Sequence, residues 1–316
     1  MDFGRVSDPA KLAKIKWDLP SLCGPEELHQ LTRLQRAGAK YLDQIPKIYV
    51  GTPVWAEAKW VGKLYPDGTS PDSFLKEFVP QLSMVEVNST FYAIPTQDTF
   101  SKWTSCAYPG FRFCPKFPQS ISRVLATALE LKDLDVFTER VRVLGENRGV
   151  CFLQLPPDVG MESLGRLQTL FARIPRDLKS VVEFRNASFF VNRRLRPEVV
   201  NMLATHHLGT VITDTALHRE LVHASLSSSR VMIRFASNDM HPSDELRMDQ
   251  WVERLKVWYQ NGMKEIFLSV HAEDPLAEIS ATRLFIQKIN SSFQELPDFE
   301  AIPEPIFYHE QQATLF

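Results

Sequence analysis

The stretch LDVFTERVRVLGENRGVCFLQL, Leu134 through Leu155, carries one complete helix-to-strand unit, and its reading decides the fold class. Leu134, Phe137, Val141 and Leu144 step by three and four, which lines them along one face of an α-helix. Gly145 stands where a helix is stopped by a residue free to take a left-handed backbone. Val150 to Leu155 is a short aliphatic run, the composition of a strand buried on both faces. Seven more segments of this kind recur: Ile48–Gly51, Met84–Asn88, Phe111–Lys116, Val181–Arg185, Thr210–Thr213, Val231–Phe235 and Ile266–Val270.

Helical patterns lie between most of them. Met248, Trp251, Val252, Leu255, Trp258 and Tyr259 form one apolar stripe that Gly262 closes. Ser70-Pro71 opens another, with Phe74, Leu75, Phe78 and Val79. Strands alternating with helices pair in parallel through right-handed crossovers. Eight such units close most simply into a (β/α)8 TIM barrel over residues 48–290, with a doubly wound open sheet as the main rival. About seventeen residues separate the sixth and seventh strands, so a short helix or a loop is expected there and the barrel is irregular. Residues 1–47 form an extension in which Leu28, Leu31, Leu34, Tyr41 and Leu42 predict an extra helix capping one end. Residues 291–316, with Pro297, Pro303 and Pro305, read as an extended tail.

Composition narrows the partners. A net charge of −2 gives no global attraction to nucleic acid or anionic membrane, so an anion site must be local. The amino terminus lacks the apolar core of a signal peptide and no run is long enough to span a bilayer, which predicts a cytoplasmic protein. The four cysteines form no CxxC pair. Cys114, beside Lys116, is the one candidate reactive thiol.

In βα barrels the site lies at the carboxyl ends of the strands, and here those ends are polar. Glu86, Glu183, Asp214 and His271 are the candidate catalytic residues, and Trp55, Asn88, Tyr92, Lys116, Gln154, Arg185 and Arg234 the candidate substrate-binding residues. Glu86 with Asn88, and Glu183 with Arg185, are spaced by two and so share a strand face. For Glu183 and Arg185 the alternative is a structural ion pair, and for Asp214 a helix cap. Histidines are too few for a histidine-rich metal cluster, which leaves Glu86, Glu183 and Asp214 as candidate ligands of one divalent ion. No cofactor is identified: the chain has no P-loop, GxGxxG, HExxH or GxSxG, and the loops after strands 7 and 8 lack the glycines of a phosphate gripper.

Several of these residues fall within phrases that resemble the YecE-like family of domains of unknown function, family seventy-two. They are Gly51-Thr52 with Trp55, Trp60 and Tyr65-Pro66; Val85-Glu86-Val87-Asn88-Ser89-Thr90-Phe91-Tyr92; Pro109-Gly110-Phe111-Arg112-Phe113 to Lys116; Gln154-Leu155-Pro156-Pro157; and Val182-Glu183-Phe184-Arg185 with Ser188. The resemblance implies a TIM barrel whose shared site includes Glu86, Asn88, Lys116, Glu183 and Arg185, and it implies no reaction. The chain departs from the pattern at Pro53-Val54, at Ala236-Ser237 after Arg234, and at His271-Ala272, where the family usually has Ser-Gly, His-Gly and Asn-Asn.

The last five residues, Gln312-Ala313-Thr314-Leu315-Phe316, resemble the peptide by which bacterial polymerases and repair proteins dock on the sliding clamp. Gln312, Leu315 and Phe316 are the candidate contacts, with a fold-back of the tail onto the barrel as the alternative. These readings predict a hydrolase or lyase acting on an anionic, phosphate-bearing or nucleic-acid-derived substrate. The alternative is a non-catalytic ligand-binding or adaptor barrel.

Overall fold

A computed structural model describes residues 6, 8–21, 30–33, 46–123 and 132–308. All eight expected strands form: β1 (Lys47–Thr52), β2 (Met84–Val87), β3 (Arg112–Pro115), β4 (Phe152–Gln154), β5 (Val181–Glu183), β6 (Gly209–Asp214), β7 (Arg230–Ala236) and β8 (Glu265–His271). Sequence neighbours pair in parallel, and β8 returns to pair with β1 from Lys47 to Gly51. The circle is completed between β3 and β4 by bridges at Phe113–Arg148 and Lys116–Phe152. There the Phe117 amide donates to the Phe152 carbonyl at 2.9 Å. An open doubly wound sheet would leave these two strands apart, so the barrel stands. Gly51 permits the closest strand approach, because a Cβ there would lie 1.8 Å from the Met84 carbonyl oxygen.

The interior is built in layers. Tyr49, Met84, Cys114, Phe152, Val181, Val211, Met232 and Phe267, one from each strand, belong to an apolar cluster separate from the main core. A step of two along a strand returns to the same face. The layer above, toward the carboxyl ends, is therefore Gly51, Glu86, Lys116, Gln154, Glu183, Thr213, Arg234 and Ser269. The barrel is apolar below and polar at its mouth. Cys114 lies in the apolar layer, where burial pushes its thiol well above the ordinary value; it is a packed core residue rather than a reactive one.

Helices α1 (Phe74–Phe78), α2 (Gln97–Cys106), α3 (Lys132–Arg142), α4 (Leu164–Arg173), α5 (Pro197–Thr205), α6 (Pro242–Gln260) and α7 (Pro275–Phe293) surround the strands. Leu134, Phe137 and Val141 of α3 are buried, as the opening stretch requires. No α-helix follows β6, only a single 3-10 turn at Arg219–Leu221. The N-terminal extension lies against this gap. Gln30 Oε1 accepts from the Leu226 amide at 3.0 Å, and the Leu19 amide donates to Gln250 Oε1 on α6 at 2.8 Å. Trp17 packs its ring against the guanidinium groups of Arg219 and Arg247, 5.4 and 5.0 Å from the centroid. Of the expected extra helix, Leu31 is buried, and Leu28, Leu34, Tyr41 and Leu42 lie outside the described residues.

The expected tail is held to the barrel as far as Tyr308. Helix α7 runs to Phe293, and Phe299 then packs on Phe293 and Tyr259. Asn290 bonds both the amide and the carbonyl of Ile302 at 2.9 Å, and the Ile306 amide donates to Gln81. The prolines keep this segment extended while Ile302 supplies a buried apolar side chain and Phe299 a partly buried one. Gln312, Leu315 and Phe316 lie outside the described residues.

Asp214 ends β6 one residue past the inward-facing Thr213 and so points outward. Its Oδ2 accepts from Trp251 Nε1 at 2.7 Å, and its Oδ1 accepts from Arg247 at 3.0 Å and from Arg219. It joins strand, α6 and the β6–β7 connection, and caps no helix. Removing one partner of a buried ion pair costs about 3–5 kcal/mol. Asp214→Ala is therefore expected to lower unfolding stability by that amount in urea titration at neutral pH; unchanged stability would return Asp214 to the list of site residues.

Candidate functional site

The polar layer is one hydrogen-bonded chain of charges. Glu86 on β2 accepts from Arg234 Nη2 at 2.7 Å and Nε at 3.1 Å, and Arg234 Nη1 reaches Glu183 Oε2 on β5 at 3.0 Å. Glu183 also accepts from Gln154 at 2.7 Å, Thr213 at 2.9 Å and Arg185 Nε at 2.8 Å. Glu86 accepts from Asn88 at 2.9 Å, and His271 Nε2 lies 3.1 Å from its other oxygen. Lys116 Nζ donates to Gln154 Oε1 at 2.8 Å. Eight of the expected site residues thus meet: Glu86, Asn88, Lys116, Gln154, Glu183, Arg185, Arg234 and His271.

The electrostatics divide their roles. Burial alone would raise Glu86, but the charges of Arg234 and His271 outweigh it and hold the carboxyl well below the usual range. Glu183 is likewise held down, burial being outweighed by Arg185 and Arg234. Both stay ionised at neutral pH, which makes them poor general acids or bases. Lys116 gives up its proton more readily than an ordinary lysine: burial, helped by the nearby Arg234 charge, lowers it from the ordinary 10.5 to about 8. The ammonium sits 4.2 Å from the centre of the Phe91 ring, which covers it.

Three expected residues stand apart. Asp214 lies in the outer cluster, so Glu86, Glu183 and Asp214 do not form one ligand set, and among the described residues no three or more histidine, cysteine or carboxylate side chains cluster as metal ligands. Trp55 packs edge-on against Trp103 at 5.4 Å, and Tyr92 is 71% exposed, with its backbone neighbour Phe91 over Lys116 instead. At the ends of β7 and β8, Asp239 Oδ1 accepts from the amides of Glu273 at 2.9 Å and Asp274 at 3.2 Å, while Asp244 takes the Asn238 amide.

Beside the charged layer lies a cavity of about 150 Å³. Glu183, Arg185 and Thr213 line it from the barrel, and His218, Leu221 and His223 from the β6–β7 connection. Arg185 commits its Nε to Glu183, and among the described residues its two terminal nitrogens make no hydrogen bond. Thr213, Phe91, His218, Leu221 and His223 were not among the candidates. Strand parity would have found Thr213; the connection carries no motif that marks it.

A family model described as "Protein of unknown function DUF72" matches residues 49–305. The chain belongs to the DUF72 family. It is 28% identical over 288 residues to the UPF0759 protein YecE of Escherichia coli K12, covering 85% of this chain and 100% of that protein; YecE of strain O157:H7 matches equally. Crystal structures of DUF72 family proteins from Thermotoga maritima (TM-score 0.59, 22% identity, 78% of this chain and 99% of that one) and Enterococcus faecalis (0.58, 16%, 82% and 99%) share the fold. Among the described residues of this DUF72 chain, no helix is long and apolar enough to cross a membrane.

The charge chain makes this DUF72 barrel sensitive to pH in two windows. Carboxylates held below their unfolded values contribute stability above about pH 4 that is lost as the pH falls. For Lys116 the unfolded chain binds more protons between about 8 and 10.5, so its contribution rises with pH over that window. Chemical unfolding from pH 7.5 to 10.5 is expected to show this rise in the parent and not in Lys116→Met; identical pH slopes would contradict the assignment.

Proposed function

We propose that this barrel is an enzyme that binds a small anionic molecule at the carboxyl ends of its strands, with Arg185 gripping the anion and Lys116 moving a proton. The observation that carries the reading is the division of labour within one bonded chain. Arg234 is consumed between Glu86 and Glu183, whereas Arg185, oriented by the same Glu183, turns two unbonded donors toward a cavity. A planar guanidinium with free terminal nitrogens suits an oxyanion, because it offers two parallel donors. An amine that loses its proton near pH 8 suits lyase-type proton abstraction beside an anion-stabilised centre, or protonation of a leaving group in a hydrolase. Glu86 and Glu183 act as positioning residues in this scheme, with His271 and Asn88 fixing Glu86.

The complete burial of Lys116 beneath Phe91 favours a second reading, a ligand-binding barrel without turnover. A screen of small phosphate esters and carboxylic acids as substrates separates the two. Turnover with a pH–rate limb near 8, lost in Lys116→Met, is expected for the enzyme. Saturable binding without turnover supports the second reading, and a substrate turned over equally by Lys116→Met removes the proton-transfer role. In either case Arg185→Gln is expected to weaken anion binding at least about tenfold, since hydrogen bonds to charged groups contribute about 1.5–3 kcal/mol each.

The C-terminal peptide forms a separate proposal, docking on a bacterial sliding clamp through Gln312, Leu315 and Phe316. Its support is the sequence pattern of these last residues. The eight residues beyond Tyr308 reach at most about 28 Å when extended. A peptide of residues 306–316 is expected to bind purified clamp, with binding abolished by Phe316→Ala; no measurable affinity overturns the proposal.

A further inference from the structure

We infer that the β6–β7 connection is the specificity wall of this site, and that the ligand it selects is a monocarboxylate carrying one ring-sized apolar body. The inference rests on the anion-binding reading above and narrows it.

Charge points to a monoanion. The cavity is lined by one guanidinium, Arg185, and one carboxylate, Glu183, so its formal charge from these two is balanced. Lys116 and Arg234 do not line it: both are fully buried, tied to Gln154 and to the two glutamates. A phosphate dianion placed against Arg185 would bring three negative charges, its own two and that of the ionised Glu183, to one lining cation, whereas a monocarboxylate brings two. A carboxylate matches the fork of Arg185 in both charge and geometry.

Size points to a single ring. A cavity of about 150 Å³ is the volume that, in an engineered protein interior, takes up benzene. A whole nucleotide does not fit it. The remaining walls are apolar or neutral: Phe184 and Val211 from the strands, Leu221 from the connection, and the ring of His223. His223 is buried, its Nδ1 accepts from the Ser225 amide at 3.1 Å, and burial lowers it to about 4, so it meets the ligand as an uncharged ring. His218 stands at the exposed rim, its Nδ1 3.4 Å from Glu220.

The wall exists because β6 has no crossover helix. The chain turns back through the 3-10 segment Arg219–Leu221, which sets Leu221 against the cavity, and the ion pair of Arg219 with the buried Asp214 anchors that turn. Leu221 is a specificity residue by this account. It touches the ligand body and takes no part in holding the anion.

Isothermal titration of the full chain with acetate, benzoate, 2-naphthoate and inorganic phosphate tests the inference. Benzoate is expected to bind at least about tenfold more tightly than acetate or phosphate, because the ring buries apolar surface that acetate lacks. It is also expected to bind more tightly than 2-naphthoate, which overfills the cavity. Leu221→Ala is expected to reverse the order of benzoate and 2-naphthoate, while Leu221→Met, which conserves volume, keeps the parent order and shows that the site tolerates exchange at this position. Arg185→Gln is expected to remove the benzoate signal. If anions bind through Arg185 but phosphate is preferred, or Leu221→Ala leaves the order unchanged, the inference fails and the anion site survives. If no anion binds and Arg185→Gln changes nothing, both fail.

Discussion

Arg234 joins strands on different sides of the barrel. Its guanidinium, rising from β7, is shared between Glu86 on β2 and Glu183 on β5, and all three side chains are buried. Two carboxylates in such a place would each be driven neutral by desolvation without a cation between them. With it, both stay ionised, and each then orders a further set of donors: Asn88 and His271 around Glu86; Gln154, Thr213 and Arg185 around Glu183. Lys116 is placed through Gln154. The mouth of the barrel is thus a charged plate whose parts are fixed relative to one another, and Arg185 lines the cavity beside it.

Strand parity explains both what was legible in the sequence and what was not. Short aliphatic runs placed all eight strands within a residue or two, because a strand buried on both faces leaves a plain compositional mark. The strand-end rule gathered Glu86, Lys116, Gln154, Glu183 and Arg234, whose inward direction follows from a step of two above Met84, Cys114, Phe152, Val181 and Met232, and Arg185, a further step of two above Glu183. Asp214 failed by a single residue: Val211 and Thr213 face in, so Asp214 faces out toward Arg247 and Trp251. Trp55 and Tyr92 stand apart from the charged layer for a related reason. Both sit in loops, where no periodicity fixes direction, and the loop backbone puts Phe91 over Lys116.

The irregular sixth unit connects architecture to chemistry. Seventeen residues sufficed to predict a short helix or a loop, and could not show which side chains it would present to the barrel. The N-terminal extension lies over the gap on the outside through Trp17, Leu19 and Gln30, while the shortened connection delivers Leu221 and two histidines to the cavity on the inside. His271, where the family resemblance implies asparagine, still engages Glu86 through Nε2. The changed end of β8 therefore keeps a polar partner on the carboxylate that holds Arg234.

Glu86 and Arg234 act as one unit. A double-mutant cycle with Glu86→Gln, Arg234→Met and their combination, read by urea unfolding at pH 7, tests it most directly. Each single change is expected to cost about 3–5 kcal/mol, because it strands a buried charge, with the double variant recovering much of that loss and an interaction energy above about 2 kcal/mol. Effects that add to within about 0.5 kcal/mol would contradict the account.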